Sequence, residues 1–230
     1  MRTWIFFSLL FFVSCHRDID IFTPDVPDSE FAYLALGDSY TIGEGVKPEE
    51  SFPVSLESGL VREGFSVTKP SRVIAQTGWT CGNLQTALDE ARIEPGEYNL
   101  VTVLIGVNDQ YLRIPVQLYP DRFAAVLQRA IRIAEDKDRV IIVSIPDYSV
   151  TPFVSGSNAQ RVRMELEEYN RLNRKIADSL SIAYVDITDI SRKAGADLSY
   201  LAADRLHPSA KMYKEWVERI TPVALELLKK

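Results

Sequence analysis

Short apolar runs alternate with longer segments in which apolar residues recur at helical spacing. The apolar runs are rich in Val, Ile and Leu, which is typical of strands buried on both faces of a sheet. The second run has an extended lead-in from Ser66, because Lys69-Pro70 interrupts its β-branched pattern. The predicted strands are Tyr33–Leu36, Arg72–Ala75, Leu100–Ile105, Val140–Ile145 and Ile182–Ile187.

The segments between and after these runs predict helices, since their apolar residues lie three or four positions apart. The first has Ser51 placed as a cap and Pro53 in its first turn, and Gly64 ends it. Strands that alternate with helices of about ten or more residues pair in parallel through right-handed crossovers. The pattern therefore predicts an α/β fold, a three-layer α/β/α sandwich. The predicted helices are Ser51–Glu63, Asn83–Arg92, Leu118–Ala134, Ala159–Leu180 and Ser209–Leu228.

Residues 1–30 follow a different pattern. Met1-Arg2 supplies a positive charge, Trp4–Val13 is apolar apart from Ser8, and Ser14-Cys15 follows. This is the layout of a secretory signal, and its apolar segment is too short to span a bilayer as a permanent helix. Residues 1–14 are therefore predicted to be a signal peptide, and the protein is predicted to be exported.

Cys15 directly follows a small residue and resembles the lipidation site of a bacterial lipoprotein, although Phe12 stands where that signal usually has Leu. An acylated Cys15 would begin the mature chain and hold it at a membrane through its lipid alone. The alternative is an ordinary cleaved signal peptide. Residues 15–30 contain Pro24 and Pro27 and lack sustained periodicity, so they are predicted to be a tether to a single domain at residues 31–230.

The composition supports one globular domain and argues against one class of partner. A chain of 230 residues with 46% hydrophobic residues suits a single sizeable core. It carries 26 Lys and Arg against 32 Asp and Glu, a net charge of −6, with no basic block, which argues against nucleic acid as the main partner. Lipidation of Cys15 would leave the second cysteine, Cys81, without a partner. The predicted role of Cys81 is that of a small buried hydrophobic residue.

The first strand stops abruptly at Gly37-Asp38-Ser39. Gly37 allows the backbone to leave the strand sharply, and Ser39 is then presented at the carboxyl edge of the sheet. Ligands of open parallel sheets bind just outside that edge, so Ser39 is a candidate nucleophile. The alternative is that Gly-Asp-Ser is ordinary turn composition.

A serine nucleophile needs a base, and histidine suits that task best. The chain contains two histidines, and His16 lies in the predicted tether, so the base would have to be His207. Asp204 precedes it by three residues, a spacing that can place a carboxylate against the imidazole Nδ1. The alternatives are that His207 caps the last helix, with Pro208 in its first turn, and that Asp204 is a solvated loop carboxylate.

Four blocks in this order resemble those of the GDSL (SGNH) esterase and lipase family: Gly37-Asp38-Ser39, Gln76–Thr80, Gly106–Asp109 and Asp204–Pro208. The resemblance spans Tyr33 to His207 and implies a five-stranded parallel sheet of flavodoxin-like type. It also implies a triad of Ser39, Asp204 and His207. The implied oxyanion hole consists of the backbone N–H groups of Ser39 and Gly78 and the side-chain amide of Asn108. Taken singly, Gly78 would be a turn glycine and Asn108 a loop or helix-cap residue.

The implied reaction is two-step acyl transfer without a metal or other cofactor. The resemblance implies an ester substrate whose acyl or acetyl group is carried by a carbohydrate, a lipid or a small alcohol. The alternative function is a catalytically inactive, glycan-binding surface lipoprotein on the same fold. Tyr40, Trp79, Tyr111 and Leu112 are candidates for the pocket wall, and the loop from Ile145 to Gly156 is a candidate rim.

Overall fold

The computed structural model describes Met1, residues 30–154 and residues 156–230. Apart from Met1, the predicted signal peptide lies outside these residues, as do Cys15 and nearly all of the predicted tether. Within them, five parallel strands form one sheet in the order β2-β1-β3-β4-β5. The strands are β1 Glu30–Gly37, β2 Ser66–Ala75, β3 Leu100–Leu104, β4 Val140–Val143 and β5 Ala183–Val185.

The helices in the described part of the chain include the five that the periodicity predicts and three short ones that it does not. The short helices α1, α4 and α7 were missed because four or five residues are too few to show a periodic stripe. The helices are α1 Ser39–Ile42, α2 Phe52–Arg62, α3 Cys81–Ala91, α4 Val107–Tyr111, α5 Tyr119–Ala134, α6 Gly156–Leu180, α7 Thr188–Arg192 and α8 Ala210–Leu228.

The helices cover the sheet in two layers. On one side α2 packs against α8, and on the other α3 packs against α5, which in turn packs against α6. The three central strands are buried throughout apart from Glu30 at the start of β1, as their continuous apolar composition predicts. The three-layer α/β/α sandwich is therefore confirmed. No helix in residues 30–154 and 156–230 is long and apolar enough to cross a membrane.

The second strand is longer than its apolar run. β2 pairs with β1 from Ser66 onward and contains Lys69 and Pro70, so the extended segment before the predicted start at Arg72 is part of the strand. Proline is tolerated because β2 is an edge strand, and the pairing register shifts next to it. Ser51 is the N-cap residue of α2, as predicted, but its hydroxyl donates to the Pro48 carbonyl at 2.7 Å and accepts no hydrogen bond from the helix.

The fourth and fifth strands end earlier than their apolar runs because side chains replace the neighbouring strand as hydrogen-bond partners. Beyond β4, Ile145 N–H donates to Asn170 Oδ1 at 2.8 Å. Beyond β5, Ile187 N–H donates to the Ser144 hydroxyl at 2.9 Å. These bonds turn the chain away from the sheet at its carboxyl edge.

The register brings the carboxyl ends of the three strands β1, β2 and β3 to one level. Gly37 lies opposite both Ala75 and Leu104, the last residues of β2 and β3. A Cβ on Gly37 would lie 2.4 Å from the Leu104 carbonyl oxygen, so no larger residue fits between these strand ends. The loops that follow all three strands therefore start side by side.

Candidate active site

Ser39 lies where β1 gives way to α1, at the carboxyl edge of the sheet. Asp38 is the N-cap of α1, and its Oδ1 accepts a hydrogen bond from Tyr40 N–H at 3.0 Å. Ser39 is the first helical residue, so its own N–H has no acceptor within the helix. Its side chain is buried, and among the described residues its hydroxyl is not hydrogen-bonded to His207 or to any other group. A hydroxyl and a backbone donor are therefore both available at this position.

A tight turn after β2 presents the backbone of Gly78. Trp79 N–H donates to the Gln76 carbonyl at 3.2 Å, and Gly78, the third residue of this turn, has a φ of +82°. A positive φ at the third position is what a type II turn requires. A Cβ at Gly78 would meet no heavy atom within 4 Å, so the backbone angle selects glycine here. The turn uses the N–H of Trp79 and leaves that of Gly78 for another acceptor.

Asn108 belongs to α4, the short helix that follows β3. Its Nδ2 donates to the Trp79 carbonyl at 2.9 Å, which ties the side chain to the Gly78 turn. An amide nitrogen carries two hydrogens, so one stays available to a ligand. The next residue, Asp109, accepts the Cys81 N–H through Oδ2 at 2.9 Å. Two neighbouring side chains of α4 thus hold the segment between β2 and α3 in place.

Asp204 and His207 share a tight turn that precedes α8. Arg205 between them has a φ of +61°, and Ala202 N–H closes the turn on the His207 carbonyl at 2.8 Å. Asp204 Oδ1 accepts the backbone N–H groups of Leu206 at 2.9 Å and His207 at 3.0 Å. Its Oδ2 lies 2.7 Å from His207 Nδ1. His207 does not cap the last helix, because α8 begins at Ala210 with Ser209 as its cap.

The carboxyl of Asp204 stays ionised at neutral pH. Burial raises its pKa, but the hydrogen bonds from Leu206 N–H and from the ring and backbone of His207 outweigh burial and lower the pKa below its ordinary value. An ionised Asp204 accepts a proton-bearing Nδ1, so Nε2 of a neutral imidazole has a free lone pair. The arrangement thus suits His207 to act as a base.

Four of the predicted site residues line one cleft of about 230 Å³: Ser39, Gly78, Asn108 and His207. They come from three loops at the carboxyl edge of the sheet and from the turn before α8. The fifth, Asp204, does not line the cleft and contacts the imidazole on its Nδ1 side. The structure therefore brings together all five residues that the sequence singles out.

The remaining cleft wall is largely aromatic. Tyr40 and Tyr111 line it as predicted, together with Tyr148 and Phe153 from the predicted rim. Trp79 and Leu112 do not line it, because Trp79 packs against the core and Leu112 is exposed. The Tyr148 hydroxyl donates to Gln110 Oε1 at 2.7 Å, which fixes this part of the wall.

Two carboxyl groups are buried close to Ser39. Asp38 is fully buried, and burial, with a further contribution from the charge of Asp109, raises its pKa to about 8. Burial likewise raises the pKa of Asp109. One oxygen of each, Asp38 Oδ2 and Asp109 Oδ1, has no hydrogen-bond partner in the described part of the chain. Burial also raises the pKa of the Cys81 thiol, which keeps it protonated and fits its predicted role as a buried hydrophobic residue.

No group of three or more His, Cys, Asp or Glu side chains within the described residues could hold a metal ion. That the reaction needs no cofactor stays a prediction.

Comparison with known proteins identifies the family. The model of the GDSL-like lipase/acylhydrolase family matches residues 35–215. The chain belongs to this family. It is therefore a carboxylic ester hydrolase, and the family resemblance of its four sequence blocks is confirmed.

Known proteins resemble this chain in sequence or in fold at low sequence identity. A Geobacillus stearothermophilus protein named acetylxylan esterase is 24% identical over 196 residues, which cover 80% of this chain and 79% of that protein. The solved structure of TesA superimposes with a TM-score of 0.67 at 18% identity and covers 85% of this chain and 99% of that one. The psychrotrophic esterase EstA from Pseudoalteromonas sp. gives 0.65 at 16% identity, over 87% and 100%.

In this GDSL-like enzyme, the structure places one further charged residue near His207 that the sequence analysis did not single out. Glu44, in the loop after α1, has its Oε2 3.8 Å from His207 Nε2 and accepts a hydrogen bond from the Thr77 hydroxyl. Glu44 does not itself line the cleft, whereas Thr77, Val107 and Leu206 do; these three lie within the sequence blocks but were given no role there. No spacing rule points to Glu44, because its proximity to His207 depends on how two distant loops meet.

We predict that Asp38 makes the stability of the fold fall as the pH rises. Its raised pKa means that the folded state keeps a proton that the unfolded state releases between about pH 4 and pH 8, so folding weakens across that window. The slope is at most about 1.4 kcal/mol per pH unit. Asp38→Asn keeps an acceptor for Tyr40 N–H and should lose less stability between pH 5 and pH 8, as measured by urea unfolding.

Asp121→Asn, at an exposed position in α5, is the control and should follow the parent curve. If the Asp38→Asn and parent stabilities changed with pH in parallel, the assignment of a retained proton to Asp38 would be wrong.

Proposed function

We propose that this enzyme cleaves esters through an acyl-enzyme on Ser39, with His207 as the base and Asp204 as the residue that orients it. The supporting observation is the single cleft that Ser39, Gly78, Asn108 and His207 line, with the Asp204 carboxylate 2.7 Å from His207 Nδ1. A protein that only binds its ligand would need neither an imidazole oriented by a carboxylate nor the Ser39 hydroxyl, which has no hydrogen-bond partner in the described part of the chain, in the same cleft.

In the acylation step, the Ser39 oxygen attacks the ester carbonyl while His207 Nε2 takes its proton. Asp204 accepts the hydrogen on Nδ1, which keeps Nε2 as the basic nitrogen and stabilises the imidazolium that forms. The hydrogen bond between Ser39 and His207 forms when the substrate brings the two groups together, as is common for catalytic contacts in apo structures.

The negative charge of the tetrahedral intermediate collects on the former carbonyl oxygen. Three donors border the cleft for it: the N–H of Ser39, the N–H of Gly78 and the second amide hydrogen of Asn108. Because the Asn108 amide is held by Trp79 and the Gly78 backbone by its turn, these donors need no rearrangement during the reaction. Each such donor contributes about 3 kcal/mol to lowering the barrier.

Collapse of the intermediate releases the alcohol, which leaves with the proton held on His207. Water then attacks the acyl-Ser39 ester, His207 takes its proton, and the carboxylic acid is released with Ser39 restored. The proton taken in each half-reaction is returned in the same half-reaction. The triad therefore completes the cycle without an external acid or base.

The substrates we propose are acyl or acetyl esters of a carbohydrate, a lipid or a small alcohol. A cleft of about 230 Å³ favours a short acyl group such as acetyl, and its aromatic wall suits an apolar acyl chain or a sugar ring. An acetylated carbohydrate is also consistent with the name of the Geobacillus relative, acetylxylan esterase.

We further propose that the protein is exported through a signal peptide at residues 1–14 and is held at a bacterial membrane by lipid on Cys15. The support is the sequence pattern alone, since these residues lie outside those that the structure describes. A lipid at Cys15 would be followed by a tether at residues 15–30, which leads into β1 at Glu30.

We predict that Ser39→Ala lowers the hydrolysis of p-nitrophenyl acetate by about a thousandfold or more, because no acyl-enzyme can form. Its unfolding midpoint should stay at the parent value, since the hydroxyl makes no hydrogen bond within the described residues. Ser66→Ala, at an exposed position in β2, is the control and should retain full activity. Equal rates for Ser39→Ala and the parent would instead support a binding function without turnover.

We also predict that Asp204→Asn is more damaging than Asp204→Ala. In Asp204→Asn, the two N–H groups that donate to Oδ1 in the parent would hold the oxygen of the new amide toward the turn. Its NH2 group would then face His207 Nδ1. The ring hydrogen would then move to Nε2 and block the base, which should lower kcat by about a thousandfold or more. Asp204→Ala imposes no tautomer on His207 and should lower kcat less. His207→Ala should lower kcat as much as Ser39→Ala does. Higher kcat in Asp204→Asn than in Asp204→Ala would contradict the proposed role.

For the anchor, we predict that Cys15→Ala moves the protein from the membrane fraction to the soluble fraction of the host cell, because a cysteine thiol is needed to carry the lipid. The measurement is fractionation followed by immunoblotting. Cys81→Ala is the matched control and should leave the parent distribution unchanged. A Cys15→Ala protein that still sediments with membranes would refute lipidation.

A further inference from the structure

Glu44 places a second carboxylate beside the imidazole of His207. Asp204 contacts the ring at Nδ1, whereas Glu44 Oε2 lies 3.8 Å from Nε2, the nitrogen that exchanges protons with the substrate. At this distance Glu44 makes no direct hydrogen bond to the ring. A hydrogen-bond donor that lies beside this pair can therefore reach Oε2 while Nε2 serves the reacting oxygen.

The Glu44 carboxylate is held in position but keeps unused acceptor capacity. It accepts the hydroxyl of Thr77, which belongs to the Gly78 turn and lines the cleft. A carboxylate offers about four acceptor sites, and Thr77 uses one of them. Within residues 30–154 and 156–230, no Lys or Arg forms an ion pair with Glu44. Its side chain is 36% exposed, so a ligand can reach it.

The chemistry of the reaction determines which part of the substrate comes close to Glu44. The alcohol leaves with a proton from His207 Nε2, so its oxygen must lie within about 3 Å of that nitrogen. Groups on the carbon next to that oxygen then lie in the region between Nε2 and Glu44. A carboxylate binds hydrogen-bond donors and repels anions, so the group that suits this place is a hydroxyl.

We propose that Glu44 binds a free hydroxyl on the carbon adjacent to the ester oxygen, so that the preferred substrates are monoesters of vicinal diols, such as partly acylated sugars and other polyols. This inference rests on the proposed function, because it needs His207 to protonate the leaving alcohol. Thr77 lines the cleft and donates its hydroxyl to Glu44, which makes this side polar, whereas Tyr111, Tyr148 and Phe153 form an apolar side. The difference between the two sides orients the ester, with the alcohol toward Glu44 and the acyl group toward the aromatic rings.

Two acetate esters of matched shape test the proposal. 2-Hydroxyethyl acetate carries the adjacent hydroxyl, and propyl acetate has a methyl group in its place. The kcat/KM of each is measured by titrating the released acetic acid at constant pH, and the quantity compared is the ratio of the two values. The parent enzyme should favour the hydroxyl-bearing ester by about tenfold, as expected for a hydrogen bond to a charged and partly exposed acceptor. In Glu44→Ala the ratio should fall to about one, and in Glu44→Gln it should be intermediate.

Glu49→Gln removes an exposed carboxylate from the same loop region and should keep the parent ratio. A parent ratio that persists in Glu44→Ala would overturn the assignment while the ester hydrolysis itself stands. Equal losses on both esters would also overturn it, since they would mean that Glu44 acts on the imidazolium. Absence of hydrolysis of any ester by the parent enzyme would overturn the proposed function and this inference together.

Discussion

The site depends on one constraint of the sheet, which is that β1, β2 and β3 end at the same level. Gly37 faces Ala75 on one side and Leu104 on the other, and the close approach at this point excludes any side chain. Because of this register, the hydroxyl of Ser39, the N–H of Gly78 and the amide of Asn108 border one small cleft. A shift of one strand by a single residue would move its loop by about 3.3 Å and separate these groups.

The fold and most of the site could be predicted from the sequence because they rest on local signals. The buried strands are continuous apolar runs, and the five site residues follow strand ends or precede the last helix. The three short helices could not be predicted, because a helix such as Val107–Tyr111 has too few residues to show a periodic apolar stripe and forms only because it follows β3. Glu44 gave none either, because its contact with His207 exists only after the loops that carry them have met.

The four carboxyl groups near Ser39 and His207 lie at two depths below the surface. Asp204 and Glu44 lie nearer the surface, with side chains that are 38% and 36% exposed, and hydrogen bonds outweigh burial and lower the pKa of Asp204. Asp38 and Asp109 lie beneath, fully buried and each with one oxygen that has no partner among the described residues, and burial raises the pKa of both carboxyl groups. In the proposed mechanism the Asp204 carboxylate stabilises the imidazolium at Nδ1, whereas burial disfavours negative charge beside the proposed oxyanion donors.

The proline within β2 has a consequence for how copies of this protein behave when crowded. β2 is the outer strand at one side of the sheet, and Pro70 has no amide hydrogen to offer to an added strand. The opposite outer strand, β5, is only three residues long. Neither border of the sheet is a good template for strand addition, so the molecules can reach a high local density without joining edge to edge into aggregates.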